Sequence, residues 1–215
     1  MIINSIIAGA SGGGGPVLPS GFTAVNYIQT SGTQYISTNL VPKANDEIKL
    51  QYSNLNQQNY NSMVFGCAPY YVGASDVNNR FMQIFNGNKI SATNEISYTN
   101  LNASNNEVAI TYGECAKYDV EMNPSNIKVN GTIISNIGTS NITNNITDSI
   151  SIGARGSVGN RPSSVRIYYL SVVRNNISMI ELYPAVRDLD SVVGMYDVAN
   201  GIFYTNAGTG TFTYG

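Results

Sequence analysis

Ile127-Lys128-Val129-Asn130-Gly131-Thr132-Ile133-Ile134 is the stretch that decides the fold class. Two short β-branched arms flank Asn-Gly, the pair that best tolerates positive φ at both central positions of a type I′ turn. Outward from this hairpin the apolar pattern keeps a period of two, and no long stretch holds a period of 3.6. Strands are therefore expected at Ala24–Gln29, Gln34–Thr38, Glu47–Tyr52, Ser62–Cys67, Phe81–Phe85, Lys89–Ala92, Glu107–Tyr112, Tyr118–Met122, Ile127–Val129, Thr132–Ser135, Ser149–Ala154, Val165–Val173, Ile177–Tyr183, Val193–Tyr196 and Ile202–Tyr204. Asn86-Gly87 and Asn200-Gly201 mark further turns, and the Asn-rich stretches 54–61, 100–106 and 136–145 read as surface loops. Many short strands without helices predict an all-β sandwich or jelly roll.

Composition narrows the function. Charged residues are 11% of the 215, against about 25% in an ordinary soluble domain. Asn, Ser, Thr and Gly supply 29, 22, 15 and 21 residues, so amide, hydroxyl and backbone groups must make most of the polar surface. A net charge of −2 with 11 Lys+Arg offers no basic footprint for nucleic acid. The absence of His excludes imidazole ligands and any Ser-His-Asp triad. No window reaches about 18 apolar residues, so no membrane span is expected. Cys67 and Cys115 can form at most one disulfide, and whether they pair stays open.

The start of the chain reads as a separate unit. Met1–Ala10 is apolar through Ile2, Ile3, Ile6 and Ile7 but lacks the positive charge of a signal peptide. It reads as a strand or assembly peg, or as a segment packed on its own domain. Ser11–Ser20, with four consecutive glycines, then reads as a flexible linker, so 1–17 is separated from a domain at 18–215.

Candidate sites are few. Asp119 and Glu121 alternate onto one face of a strand, as a glycosidase pair would, but no third acid follows and two solvent-face carboxylates are the preferred reading. Asp188, Asp190 and Asp197 would serve calcium only if the turn after Leu189 gathered them; turn capping is preferred. Tyr is the dominant aromatic, with 15 residues. Tyr70, Tyr71 and Arg80 form the candidate glycan contact, because Tyr offers a flat apolar face and a hydroxyl. Tyr168 and Tyr169 are adjacent in a strand, which sends one ring to the core and the other to a sheet face.

Leu18-Pro-Ser-Gly-Phe-Thr-Ala-Val-Asn-Tyr-Ile-Gln-Thr-Ser-Gly-Thr-Gln-Tyr-Ile-Ser-Thr38 opens the domain. Val193-Gly-Met-Tyr-Asp-Val-Ala-Asn-Gly-Ile-Phe-Tyr-Thr-Asn-Ala-Gly-Thr-Gly-Thr-Phe212 closes it. Both resemble the ends of concanavalin A-like (laminin-G-like) domains found in structural and surface proteins of gut bacteria and their phages. The resemblance implies a jelly-roll sandwich of two curved antiparallel sheets whose N- and C-terminal segments pair. Within these ends, Tyr27–Ile28 and Tyr35–Ile36 read as two strands folding back on each other around Ser31-Gly32, and Met195–Tyr196 and Ile202–Tyr204 do so around Asn200-Gly201.

Composition and resemblance together give a non-enzymatic phage virion protein, a capsid or tail appendage presenting a lectin-like domain at the virion surface. Its expected partners are other virion or surface proteins through the N-terminal segment, host glycans, and further copies of itself as a homo-oligomer. The alternative is an extracellular lectin-like adhesion module of a bacterial cell surface, and a glycoside hydrolase ranks third. No cofactor, metal or catalytic residue is expected. Deleting Met1–Gly15 is expected to lower the oligomeric mass in light scattering, and an unchanged assembly would refute the peg.

Overall fold

Strand formation follows the apolar alternation. Asp46–Asn54 shows it plainly: Ile48, Leu50 and Tyr52 are buried, while Glu47 and Lys49 are exposed between them. A computed structural model describes residues 16–43, 45–55, 62–67, 83–86, 95–99, 108–111, 116–136, 148–154, 159 and 162–215, with backbone alone at 83–86, 95–99, 108–111 and 135–136. In chain order the strands are β1 (Phe22–Ala24), β2 (Ile28–Gln29), β3 (Ile36–Ser37), β4 (Asp46–Asn54), β5 (Ser62–Gly66) and β6 (Gln83–Asn86). Next come β7 (Glu95–Thr99), β8 (Val108–Thr111), β9 (Lys117–Met122), β10 (Asn126–Val129), β11 (Thr132–Asn136) and β12 (Ser151–Ile152). The last are β13 (Val165–Arg174), β14 (Ile177–Arg187), β15 (Val192–Asp197), β16 (Ile202–Thr205) and β17 (Thr213–Tyr214).

All pairings among these strands are antiparallel. The large sheet runs β11-β10-β9-β4-β13-β14-β15-β16, with β1 on β14 and with β2 joining β13 to β17. The small sheet runs β3-β12-β5-β6-β7-β8. One apolar cluster joins them: Ile48, Leu50, Val120, Ile127, Leu170, Val172 and Leu182 from the large sheet meet Ile36, Val64, Phe65 and Ile152 from the small one. The fold is an all-β sandwich of two antiparallel sheets, the class expected from the strand pattern.

The expected hairpin forms. Asn130 and Gly131 both take positive φ, 50° and 78°, which is the type I′ conformation. The chain ends also meet as expected: Thr213 and Tyr214 pair with Gln29 and Ile28, and the Gly215 carbonyl accepts from the N–H groups of Asn26 and Tyr27. The hairpin around Asn200-Gly201 joins β15 to β16.

Several expectations change. The segment expected at Ala24–Gln29 is two strands, because Asn26 and Tyr27 turn their N–H groups to Gly215. The pair around Ser31-Gly32 does not fold back on itself: β2 belongs to the large sheet and β3 to the small one. Gly32 at φ 95° makes this crossing, and the Gln34 side chain accepts from the Ser31 N–H at 2.7 Å to hold it. β14 runs on through Pro184 to Arg187, beyond the strand expected at Ile177–Tyr183. The Pro184 carbonyl faces β1, accepting from Val25, so its missing N–H falls where the neighbour of β14 changes from β13 to β1. β7 and β17 were not expected: β7 alternates through Ile96 and Tyr98 and was overlooked, and β17 is two residues long, too short to show a period. The strand expected at Lys89–Ala92, the segment with Ile2, Ile3, Ile6 and Ile7, the glycine tether and Cys115 lie outside the described residues; Cys67 is buried.

A buried ion pair closes one end of the core. Asp46 is 1% exposed and directly opposes Arg174 across β4 and β13. The Arg174 Nε and Nη2 donate to the two carboxylate oxygens at 2.6 and 2.9 Å, and Nη2 also reaches the Val41 carbonyl. The Lys43 N–H donates to the same carboxylate at 2.8 Å. Removing one partner leaves a buried charge unpaired. Arg174→Ala is expected to cost about 3 kcal/mol in urea unfolding; a loss below about 1 kcal/mol, the level of a surface ion pair, would refute this role.

Candidate functional site

The face of the large sheet turned away from the core is where chemistry collects. β13 decides it. Along β13 the core positions are Val165 and Ile167, then Leu170 and Val172. The change from odd to even numbers reflects a bulge against β4, where Ile167 pairs with Tyr52 and Tyr169 with Gln51. Tyr168 and Tyr169 consequently both lie on the outer face. The expectation that one ring would enter the core fails, because strict alternation stops at the bulge.

Further rings join these from distant parts of the chain. Tyr27 packs edge-on against Tyr168 with centroids 5.8 Å apart, and Tyr169 lies 5.0 Å from Tyr183. Tyr183 stands opposite Tyr196, and Tyr196 opposite Phe203. Phe22 contacts the last two, at 4.6 and 5.0 Å. Gly194 makes room at this end: a Cβ there would strike the Tyr204 carbonyl and come within 2.9 Å of the Phe203 ring. All seven rings are half-buried, so each keeps an edge or face in water.

Polar groups are set among the rings. Tyr169 and Tyr183 donate to the same Glu181 oxygen, Oε1, at 3.3 and 2.9 Å. Glu181 Oε2 has no protein hydrogen bond among the described residues. Burial, then the hydrogen bond to Glu181, raises the Tyr183 hydroxyl far above its ordinary value. Tyr169 moves the same way, chiefly through burial. At the other end, the Lys117 Nζ sits 4.5 Å above the Tyr168 ring and the Arg166 guanidinium 4.6 Å from the Tyr27 ring. Tyr168 and Ser53 share a hydroxyl hydrogen bond at 3.1 Å.

The other candidates resolve separately. Asp119 and Glu121 do share the outer face, but Glu121 lies between Lys49 and Lys128, 3.5 Å from each. The three aspartates near Leu189 are not gathered. Asp188 accepts from the Thr23 hydroxyl, and Asp190 is bound by both arms of Arg187. Asp197 lies at the far end of β15, buried, accepting from the N–H groups of Glu181 and Ala199 and from the Asn200 amide. Asp190, which also accepts from the Val192 N–H, and Asp197 have turn-capping roles, whereas Asp188 ties the turn to Thr23. Among the described residues no group of three or more His, Cys, Asp or Glu could hold a metal. Tyr70, Tyr71 and Arg80 lie outside the described residues. Sequence reasoning missed the Glu181 cluster, although the shift of apolar positions across Tyr168-Tyr169 signals the bulge that builds it.

No protein-family model and no curated protein matches this chain. Among solved structures it is similar to the native heptameric SAP-like pentraxin from Limulus polyphemus, at 12% identity and a TM-score of 0.48, covering 90% of this chain and 94% of that one. No helix of the described residues is long and apolar enough to cross a membrane.

The raised phenols have a measurable consequence. Their protonated form is favoured by folding, so the stabilisation is full below the ordinary tyrosine value of about 10 and is lost as pH rises through the raised one. In an ultraviolet phenolate titration, Tyr183 should stay protonated near pH 10, and Glu181→Gln should bring it down. Titration of all tyrosines as one unperturbed class would contradict the cluster.

Proposed function

We propose that this chain is a non-enzymatic, lectin-like module that contacts glycans through the aromatic outer face of its large sheet, serving as an extracellular adhesion domain of a bacterial surface. The observation that carries the reading is the Glu181 carboxylate, which is held by two phenols and keeps Oε2 for a ligand. A sugar presents apolar C–H faces and hydroxyl edges. Half-buried tyrosines meet the first, and an oriented carboxylate meets the second with a charge-assisted hydrogen bond. The face is open, so single contacts are weak and adhesion would draw on several copies.

A second reading, a virion appendage, rests on the resemblance of 18–38 and 193–212 to domains of gut bacterial and phage surface proteins, and it would use the same face. In that reading 1–17 carries the docking function and 18–215 the display function. Hydrolysis is disfavoured because Glu121 is bridged to two lysines rather than poised with Asp119 across an open cleft.

A glycan array tests the proposal. Wild-type protein should bind a subset of glycans, and Glu181→Gln and Tyr183→Phe should weaken them. A lost hydrogen bond to a charged group costs about 1.5–3 kcal/mol, or roughly ten- to a hundredfold in affinity. No binding by a folded sample would overturn the lectin reading. Release of reducing sugar that vanishes in Glu121→Gln would overturn the non-enzymatic one.

A further inference from the structure

We infer that the glycans this face prefers are acidic ones, carrying carboxylate or sulfate groups, and that Lys117 and Arg166 form the anion subsite. The inference rests on the glycan-binding reading above and deepens it.

The observation is a difference among the cations. Lys49 and Lys128 are bridged to Glu121, Arg174 is paired with Asp46, and Arg187 with Asp190. Lys117 and Arg166 have no carboxylate within ion-pair distance among the described residues. They are held instead by rings, Lys117 over Tyr168 and Arg166 over Tyr27, and by the Arg166 Nε donating to Gln29 at 3.0 Å. A ring positions a cation without neutralising it, so the charge stays available to a ligand. The terminal nitrogens of Arg166 have no protein partner among the described residues, and their planar fork matches the two oxygens of a carboxylate or sulfate.

The two cations are placed for one ligand. Both pair in register with Ser53, one from each neighbouring strand, so they share the outer face. Two strand spacings separate their backbones by roughly 10 Å. The Tyr168 and Ser53 hydroxyls, hydrogen-bonded to each other, lie between them. That arrangement suits a short oligosaccharide crossing the strands, with its acid groups at the cations, its hydroxyls at the half-buried Tyr168, whose hydroxyl is held by the buried Ser53, and its apolar faces on the rings. The whole chain is slightly acidic, with a net charge of −2, so attraction to an anion needs a local concentration of positive charge such as this pair provides.

The test compares matched ligands by titration calorimetry. Oligogalacturonate and its methyl ester differ in carboxylate charge; dextran sulfate and dextran differ in sulfate. Wild-type protein should bind at least one acidic member about tenfold or more tighter than its neutral match, with the gap narrowing as salt rises. The carboxylate and sulfate arms distinguish the two acid groups. The double variant Lys117→Gln/Arg166→Gln should lose the preference, and Arg166→Lys should lose part of it by keeping charge without the fork. Lys49→Gln/Lys128→Gln, on the same face, should leave the preference intact. Thermal melting is followed for each variant, and Arg166→Lys carries the test if the double variant does not fold. Equal binding of acidic and neutral members would overturn this inference and leave the glycan reading standing. A preference that survives the double variant, or one abolished equally by Lys49→Gln/Lys128→Gln, would also overturn it. Binding of none of the four ligands, with an empty glycan array, would overturn the glycan reading itself.

Discussion

The pairing of β4 with β13, with its one extra residue at Tyr168, is the constraint on which the rest depends. It aligns Ile48 and Leu50 with Val172 and Leu170 on the core side, and Lys49 and Gln51 with Ser171 and Tyr169 on the other. A slip of one residue would exchange these faces. The bulge lets Val165 and Ile167 share the core with Leu170 and Val172, although the two pairs differ in parity. Its consequence outside is that two consecutive tyrosines face water together. One links to Tyr27 and the cations, the other to Tyr183 and Glu181.

A chain with so few charges must hold its polar backbone by other means. Side-chain amides and hydroxyls do much of this. The Thr30 hydroxyl reaches the Ser163 carbonyl and accepts from Val165, tying the crossing between sheets to the start of β13. Asn206 accepts from the N–H groups of Tyr35 and Gly208 and donates to Gly210, fixing the last turn against the first strands. Short uncharged side chains lose less entropy on ordering than Lys or Glu. Among the described residues the charges are placed specifically: Asp46 and Arg174 form a buried pair at the end of the core, Asp197 is buried at the end of β15, and a further set lies on the outer sheet face.

That outer face also decides what surrounds each carboxylate. The carboxylate pair Asp119 and Glu121 was legible from strand alternation, and so was its shared face. What alternation could not supply was the neighbouring strands, whose Lys49 and Lys128 engage Glu121. The aspartates around Leu189 are likewise placed by the strands around them. Asp190 and Asp197 are close in sequence, but six residues of extended strand hold them apart, and each is committed to its own turn.

The all-β class, the Asn130-Gly131 turn and the Asn200-Gly201 hairpin were readable from the sequence, because they are local features written in period-two alternation and in residues that accept positive φ. The joining of the two chain ends was implied only by the resemblance of 18–38 and 193–212 to concanavalin A-like domains. Tertiary structure alone decided which sheet each short strand enters, as with Ile28 and Ile36 on either side of Gly32. It alone gathered Phe22, Tyr27, Tyr168, Tyr169, Tyr183, Tyr196 and Phe203 onto one surface. The physical reason is that alternation reports which side of a strand a residue occupies, while neighbours and register come from packing a core between distant segments.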